Sequence, residues 1–485
     1  MMLKTNFSKP LKQSLILFLL GTVSSLGFSP NVSAETLKDA LASAYQTNPS
    51  LAAAQAEMRA TGEDVAAAQA GWLPQASFIG AVSQNVASQT SPLVGEQSHV
   101  DNTQKNMKLN ISQNIYKGGA TEAESQKADL NVLVQSAALR KTEQDLLMAT
   151  IKAYLAVLLN QSKLDLSITN EALLQKQLAQ GKARFELGDL TLTDVSQIEA
   201  RLAEATSERI EAESALESAR AQYVSLIGQM PEKLVFPEAP TFLPEDKSTA
   251  LNIALQHNPE LIKAQFSEKV AKTDIEKTLA GLCPSFDFDV DLSRSERQFQ
   301  KDRVYDGTAT LKLTVPLNIS GGQQSQVRKA RQIANQKRLE AFAVRSNLEA
   351  TVSANFDAIK SNDAQISKFI EQVKASEIAL KGMRLEEELG SRTMTDLLNA
   401  EKEHFKAQVG LVEARVKALQ ARYQILADMG ELTLARLDLG IAPYNPEPEL
   451  NQISKAPYTT AITSEPPQIA EEEANQKTEE LEETA

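Results

Sequence analysis

The residue types that could do chemistry are few and scattered. Asp287, Asp289 and Asp291 alternate with Phe288 and Val290, a spacing that opens a calcium loop. Leu292 then stands where such a loop needs glycine, and Gln298 where it needs a bidentate glutamate. His99, His257 and His404 have no paired ligand at metal-binding spacing, and Cys283, the sole cysteine, can form no intrachain disulfide. Nothing in this set assembles a nucleophile, a metal centre or a cofactor cradle, so the chain reads as a non-enzyme with no cofactor.

The residues that do recur belong to another pattern. Asn48-Pro49 and Leu73-Pro74 return as Asn258-Pro259 and Cys283-Pro284, each displaced by 210 positions. Farther on, Phe185-Glu-Leu-Gly188-Asp-Leu-Thr-Leu-Thr193-Asp194-Val195 returns as Glu387-Glu-Leu-Gly390-Ser-Arg392-Thr-Met-Thr-Asp396-Leu397, displaced by 202. A tandem repeat of this size is two copies of one supersecondary unit, so the 485 residues form two intertwined halves. Cys283 takes the place of Leu73 and so packs. Gly188 and Gly390 suit C-terminal helix stops, and Asp194 and Asp396 fall in the next helix's first turn, where a carboxylate opposes the dipole favourably.

Residues 1–34 form a signal peptide: Lys4, Lys9 and Lys12 precede the apolar run Leu15 to Leu20, and Val32-Ser33-Ala34 offers small residues for cleavage before Glu35. That run is too short to span a membrane, and no cysteine follows the cleavage site to carry a lipid. Loss of the three leader lysines takes the formal charge from −13 to −16, which disfavours nucleic acid as a partner. Residues 441–485 are Pro- and Glu-rich without apolar periodicity, an acidic tail expected to be disordered.

Each repeat, 35–230 and 248–440 around a linker at 231–247, opens with two helices and then changes period. Phe286, Phe288, Val290 and Leu292 alternate with Ser285, Asp287, Asp289, Asp291 and Ser293, and Ala309, Leu311, Leu313, Val315 and Leu317 alternate with Thr310, Lys312, Thr314 and Pro316. The expected strands cover about 75–88 and 104–116, then 284–294 and 307–318. One apolar and one polar face suit a barrel wall between lipid and water, or a soluble sandwich. Four strands cannot close a membrane barrel alone, so closure needs several chains. Trp72 and Tyr116 flank the first strand pair, where an interfacial aromatic girdle would sit.

Helical arms follow at about 118–228 and 321–430, each with a long first helix of roughly 100 Å at 1.5 Å per residue. In the second, Val352, Ile359, Ile366, Val373 and Leu380 fall every seven residues, with Asn355, Asn362 and Ser376 at other seam positions. Small and polar seam residues suit helices packed round a wet interior. A solvated coiled coil without a channel, a non-porous periplasmic scaffold or adaptor, is the alternative.

With its leader, strand pairs, long arms, repeated helix-turn segments and the Gly118-Gly119 and Gly321-Gly322 pairs, residues 35 to about 440 closely resemble the TolC family of outer-membrane efflux and secretion channels. The strand end at Ile115-Tyr116-Lys117 lacks the family's usual proline, whereas Pro316-Leu317 has it. The resemblance implies an α+β membrane protein with a tandem-duplicated TolC-like fold. Four strands per chain would contribute to a trimeric twelve-stranded outer-membrane barrel, above a coiled-coil helical tunnel with a small mixed α/β equatorial belt. It implies a homotrimer in outer-membrane lipid of a Gram-negative bacterium, serving efflux or type I secretion as a passive conduit. The partners would be a periplasmic adaptor and an inner-membrane transporter of ABC, RND or MFS class.

By the same resemblance, the tunnel closes at its periplasmic end. Asp396 matches the first acidic ring of that gate, and Asn399 stands where a second aspartate is known. Three copies of Asp396 at ~8 Å and an effective dielectric of ~20 would repel by about 2 kcal/mol per pair. Arg392 matches the linking arginine, with Asp194, beside Thr193, or Glu387 as its acceptor; Glu387 replaces the usual tyrosine. Gly188 and Gly390 would shape the grooves that receive adaptor tips.

Overall fold

The computed structural model of the chain describes residues 35–90, 97–240, 242–297 and 302–448. The signal peptide, Gln298 and most of the acidic tail lie outside the described residues. In the first repeat, α1 (Leu37–Thr47) and α2 (Pro49–Ala70) precede β1 (Gln75–Thr90) and β2 (Gln97–Lys117), and α3 (Ala120–Glu186) is answered by α4 (Leu192–Ile227). The second has α5 (Lys247–His257), α6 (Pro259–Ala280), β3 (Ser285–Arg297), β4 (Asp302–Thr314), α7 (Gly322–Glu388) and α8 (Met394–Asp428).

The duplicated Asn-Pro pair has a specific local cause. Proline suits the first turn of α2 and α6, because the donor it lacks has no partner there anyway. The asparagine before it works at both ends of its amide. Asn48 Oδ1 accepts the Ser50 N–H (2.9 Å) while its Nδ2 donates to the Leu226 carbonyl at the end of α4 (3.3 Å). Asn258 Oδ1 accepts the N–H groups of Glu260 and Leu261, and its Nδ2 donates to the Asp428 carbonyl at the end of α8 (2.9 Å). One buried side chain thus caps the start of α2 or α6 and ties down the foot of an arm. Asn258→Ala is expected to cost about 2 kcal/mol, a cap plus a buried hydrogen bond, and to lower the thermal midpoint followed by circular dichroism. Asn258→Asp, which keeps the acceptor, should cost less.

The strands form one antiparallel sheet in the order β1-β2-β3-β4, so the two repeats meet through β2 and β3. Register matches most of the two faces, although Gln113 lies opposite Phe288 and Arg294 opposite Met107. Asp287, Asp289 and Asp291 lie opposite Asn114, Ser112 and Asn110, with Asn114 and Asn110 donating to Asp287 and Asp291. On the other face Phe286, Val290 and Leu292 lie opposite Tyr116, Ile111 and Leu109, a match restored by an irregularity between Asn114 and Tyr116. The spacing that suggested a calcium loop is therefore the polar side of a strand. Phe78, Val82, Leu311 and Leu313 are all exposed on this chain.

The strand limits differ from those read by alternation. β1 continues to Thr90 and β2 begins at Gln97, since backbone pairing persists where both faces are polar and alternation carries no signal. β4 stops at Thr314, short of the expected 318, because Pro316 has no N–H for the ladder and Asn318 adopts φ +36°.

Two apolar cores hold the arms. The larger surrounds Ile151, Tyr154, Tyr223, Val352 and Leu426 near the equator, where α1, α5, the linker and the segment after α8 pack on the arm feet. Tyr154 donates to the carbonyls of Glu35 and Val235, and burial pushes its hydroxyl up to about 12. The smaller core joins all four arm helices at the far end: Leu174 of α3, Ile198 and Ala205 of α4, Leu380 of α7, and Met394, Leu397 and Leu398 of α8. Between them two of the seam's polar residues find partners, Asn355 donating to Asp428 and Ser376 meeting His404 Nδ1 at 3.0 Å.

Candidate functional site at the arm tips

Both tips are built by the same local device. At the end of α3, Gly188 N–H donates to the Phe185 carbonyl and Asp189 N–H to that of Arg184. At the end of α7, Gly390 and Ser391 do the same to Glu387 and Glu386. These are Schellman closures, and they require the left-handed φ of +83° and +72° at Gly188 and Gly390. Three residues on, Thr191 and Thr393 open the return helices with capping boxes closed by Asp194 and Asp396. The Thr393 hydroxyl and N–H on Asp396 hold its carboxyl below the usual carboxylate range. The repeated motif is thus a complete recipe for a tight helical hairpin. Each aspartate uses one oxygen for its cap.

The ties between the two hairpins come mostly from outside the motif. Arg184 Nη1 donates to Glu387 Oε1 at 2.9 Å, and the glutamate side chain is only 8% exposed. Arg201 Nη2 donates to Asn399 Oδ1 at 2.9 Å, the Thr395 hydroxyl to Gln197, and Lys402 pairs with Glu204. Lys402 and Arg201 hold the Glu204 carboxyl below its ordinary range. These three contacts share one displacement: Gln197–Thr395, Arg201–Asn399 and Glu204–Lys402 are each 198 residues apart. The return helices α4 and α8 therefore run parallel. They are staggered by four residues from the repeat's 202, about 6 Å or one turn.

The expected Arg392 link takes a different form within the chain. Arg392 Nε donates to Glu386 Oε2 at 3.1 Å, inside its own hairpin, with both side chains about half exposed. Glu387, read as its acceptor, is occupied by Arg184 instead, and Asp194 is occupied by its cap. The reach of Arg392 is set by the turn that precedes it, which aims it back along α7. Thr193 is exposed and Asn399, also exposed, receives Arg201. Arg184 and Arg201 were missed because their pairing depends on lateral stagger; the only hint was a basic residue just before the first tip motif. At the other end of the molecule, Trp72 Nε1 donates to Ser125 Oγ at 3.3 Å, while Trp72 and Tyr116 are each about half exposed where strands meet helices.

The architecture has one open four-stranded sheet and two paired arms joined at foot and tip and, midway, by the Lys163–Glu413 ion pair between α3 and α8. The sequence profile of the outer membrane efflux protein family matches residues 40–229 and again 250–431, one match on each repeat. The chain belongs to the outer membrane efflux protein family. The outer membrane efflux protein BepC of Brucella suis is 26% identical over 415 residues, spanning 85% of this chain and 89% of BepC. The protease secretion protein PrtF of Dickeya chrysanthemi is 26% identical over 408 residues, 82% of this chain and 88% of PrtF. The structure of the outer membrane protein VceC from Vibrio cholerae shares the fold with a TM-score of 0.70 at 17% identity, covering 81% of this chain and 96% of VceC. Among the described residues of this outer membrane efflux protein no helix is long and apolar enough to cross a membrane.

Proposed function

We propose that three copies of this chain close one twelve-stranded barrel and one helical tunnel, forming the exit duct of an efflux or type I secretion assembly. The observation that carries the reading is the open sheet with one apolar face on the same chain as two long helix pairs. A sheet with two free edges and exposed phenylalanines needs partners of its own kind and lipid around it. The duct supplies no energy. An inner-membrane transporter of ABC, RND or MFS class drives cargo into it, and a periplasmic adaptor docks at the hairpin tips around Gly188 and Gly390. The names of the relatives point to two kinds of cargo, efflux substrates for BepC and proteases for PrtF.

The periplasmic entrance is narrowed by the tips. Asp396, kept ionised by its cap, forms the acidic ring, with Asn399 one turn farther on leaving that ring single. Arg392, Thr193 and Asp194 surround it, and the ties through Arg184–Glu387 and Arg201–Asn399 hold it narrow. In planar bilayers the parent channel is expected to be blocked by multivalent cations added from the periplasmic side. Asp396→Asn should weaken that block about tenfold, the equivalent of about 1.4 kcal/mol. Block of equal strength in both proteins would place the ring elsewhere. Recovery of the chain as a free periplasmic protein without heat-sensitive oligomers would instead favour a non-porous scaffold.

A further inference from the structure

Above the tip ties lies a buried carboxylate that none of the roles described so far uses. Glu401 of α8 is 5% exposed. Its Oε1 accepts from Gln177 Nε2 of α3 at 2.6 Å and from Arg384 Nη2 of α7 at 3.1 Å, so one oxygen gathers three helices. Its Oε2 is buried with no hydrogen-bond partner, and so is Oε1 of the same Gln177. Two enclosed acceptors therefore lack a donor, a costly arrangement for a carboxylate that stays charged. The adjoining cavity, of about 20 Å³, has room for a single water and no more.

The surroundings limit what can supply the donor. From α4 the cavity is faced by Arg201, Glu204 and Glu208, and from α8 itself by Lys402. The α3 residues that face it, Asn170 and Leu174, bring no charge, and from α7 Arg384 bonds Glu401 directly. Arg201 and Lys402 are already committed to Glu204. No neighbouring side chain is free to supply it, which leaves a single water in the cavity or a proton on Glu401 itself.

We propose that Glu401 is a proton-binding latch that positions the second hairpin against α3, so that acidification tightens the closed entrance and rising pH loosens it. The inference rests on the channel reading above and adds a regulator to it. Burial raises the Glu401 carboxyl above its usual range, partly opposed by Arg384 and Gln177. When the hairpins part, water reaches the group and it returns toward the ordinary value. A carboxyl raised in the closed state stabilises that state fully below its ordinary range of about 4.3 and loses the contribution as pH rises through the raised value. Each unit of elevation is worth about tenfold in the closed-to-open ratio. Within the chain Asp396 moves in the opposite direction, held down by its Thr393 cap.

The test is conductance of the full-length channel in planar bilayers from about pH 4.5 to about pH 8. The wild type is expected to conduct less as pH falls, whereas Glu401→Gln, permanently neutral, should hold the low-conductance state and lose most of the pH response. Glu208 borders the same cavity and is also raised by burial, so Glu208→Gln is the control that should keep the response. A Glu401→Gln profile that matches the wild type overturns the latch, as does a Glu208→Gln channel that loses the response. Should Glu401→Gln fail to assemble, Gln177→Met removes the partner across the gap and must shift the profile. A wild-type chain that forms no channel at any pH refutes the channel reading instead. Hydrogen exchange of residues 394–402 in the purified protein still tests the latch in that case: acid must protect them in the wild type and not further protect them in Glu401→Gln.

Discussion

Arg184→Ala is expected to leave the channel folded and its entrance leaking. Among the described residues the guanidinium is the one cation bonded to Glu387, whose side chain is almost wholly enclosed, and the two residues belong to different hairpins. Removing it strands a carboxylate between them. Stranding a buried charge is far worse than losing a surface ion pair, and with Arg184 itself partly solvated the cost is about 2 kcal/mol per protomer. Parting the tips relieves that cost by hydrating Glu387, so the penalty falls on the closed arrangement. About 2 kcal/mol moves a closed-to-open ratio roughly thirtyfold, visible as higher resting conductance and faster uptake of large antibiotics by cells. Arg184→Ala combined with Glu387→Leu should restore the heat stability of the oligomer without restoring Arg184's grip on the tip. If the double variant is no more stable than the single one, the stranded charge is not the cause.

Gly430→Ala is expected to be the most damaging single methyl in the molecule. Gly430 follows α8 with φ +75°, and a Cβ there would run into the carbonyl group of His257 and come within 3.0 Å of the Asn258 nitrogen. The backbone it meets cannot retreat. It belongs to the Asn258 clamp, whose side chain is bonded to Glu260, Leu261 and Asp428 at once. The left-handed conformation alone costs an L-residue about 1–2 kcal/mol, and displacing the clamp brings the total to roughly 3–5 kcal/mol. Gly188→Ala provides the contrast: its φ of +83° is as unfavourable, but a Cβ there meets nothing within 4 Å. Its cost should be about 1 kcal/mol. Thermal melts of the two variants should differ clearly. Equal shifts would mean that φ alone decides, and that the α5–α6 junction yields.

Much of this architecture is legible in the sequence because it is specified locally. Asn-Pro announces a cap, the Leu-Gly-to-Thr-x-x-Asp run announces a hairpin turn, and Phe286 to Leu292 announces a two-faced strand, since each pattern has one inexpensive backbone solution. The limits of the strands are less legible, because residues such as Ser88, Gln89 and Thr90 are polar on both faces and still pair. The tip ties are the least legible. Arg392 has the right charge and position by resemblance, but whether it or Arg184 reaches Glu387 depends on how two helices slide past each other, which no local signal encodes. Glu401 was hidden for the same reason: on its own helix it looks like one more surface glutamate.

The one-turn stagger of α4 against α8 has a consequence for how the halves of the chain can be arranged. At the repeat's displacement of 202, the counterpart of Glu387 is Phe185, that of Lys402 is Ala200, and that of Arg184 is Glu386. A first half set beside another first half would then face Arg184 with a phenylalanine and Glu204 with an alanine. Divergence has turned a self-similar pair into a plug and a socket. At their contact within the chain, each half is therefore fitted to the other and not to a copy of itself.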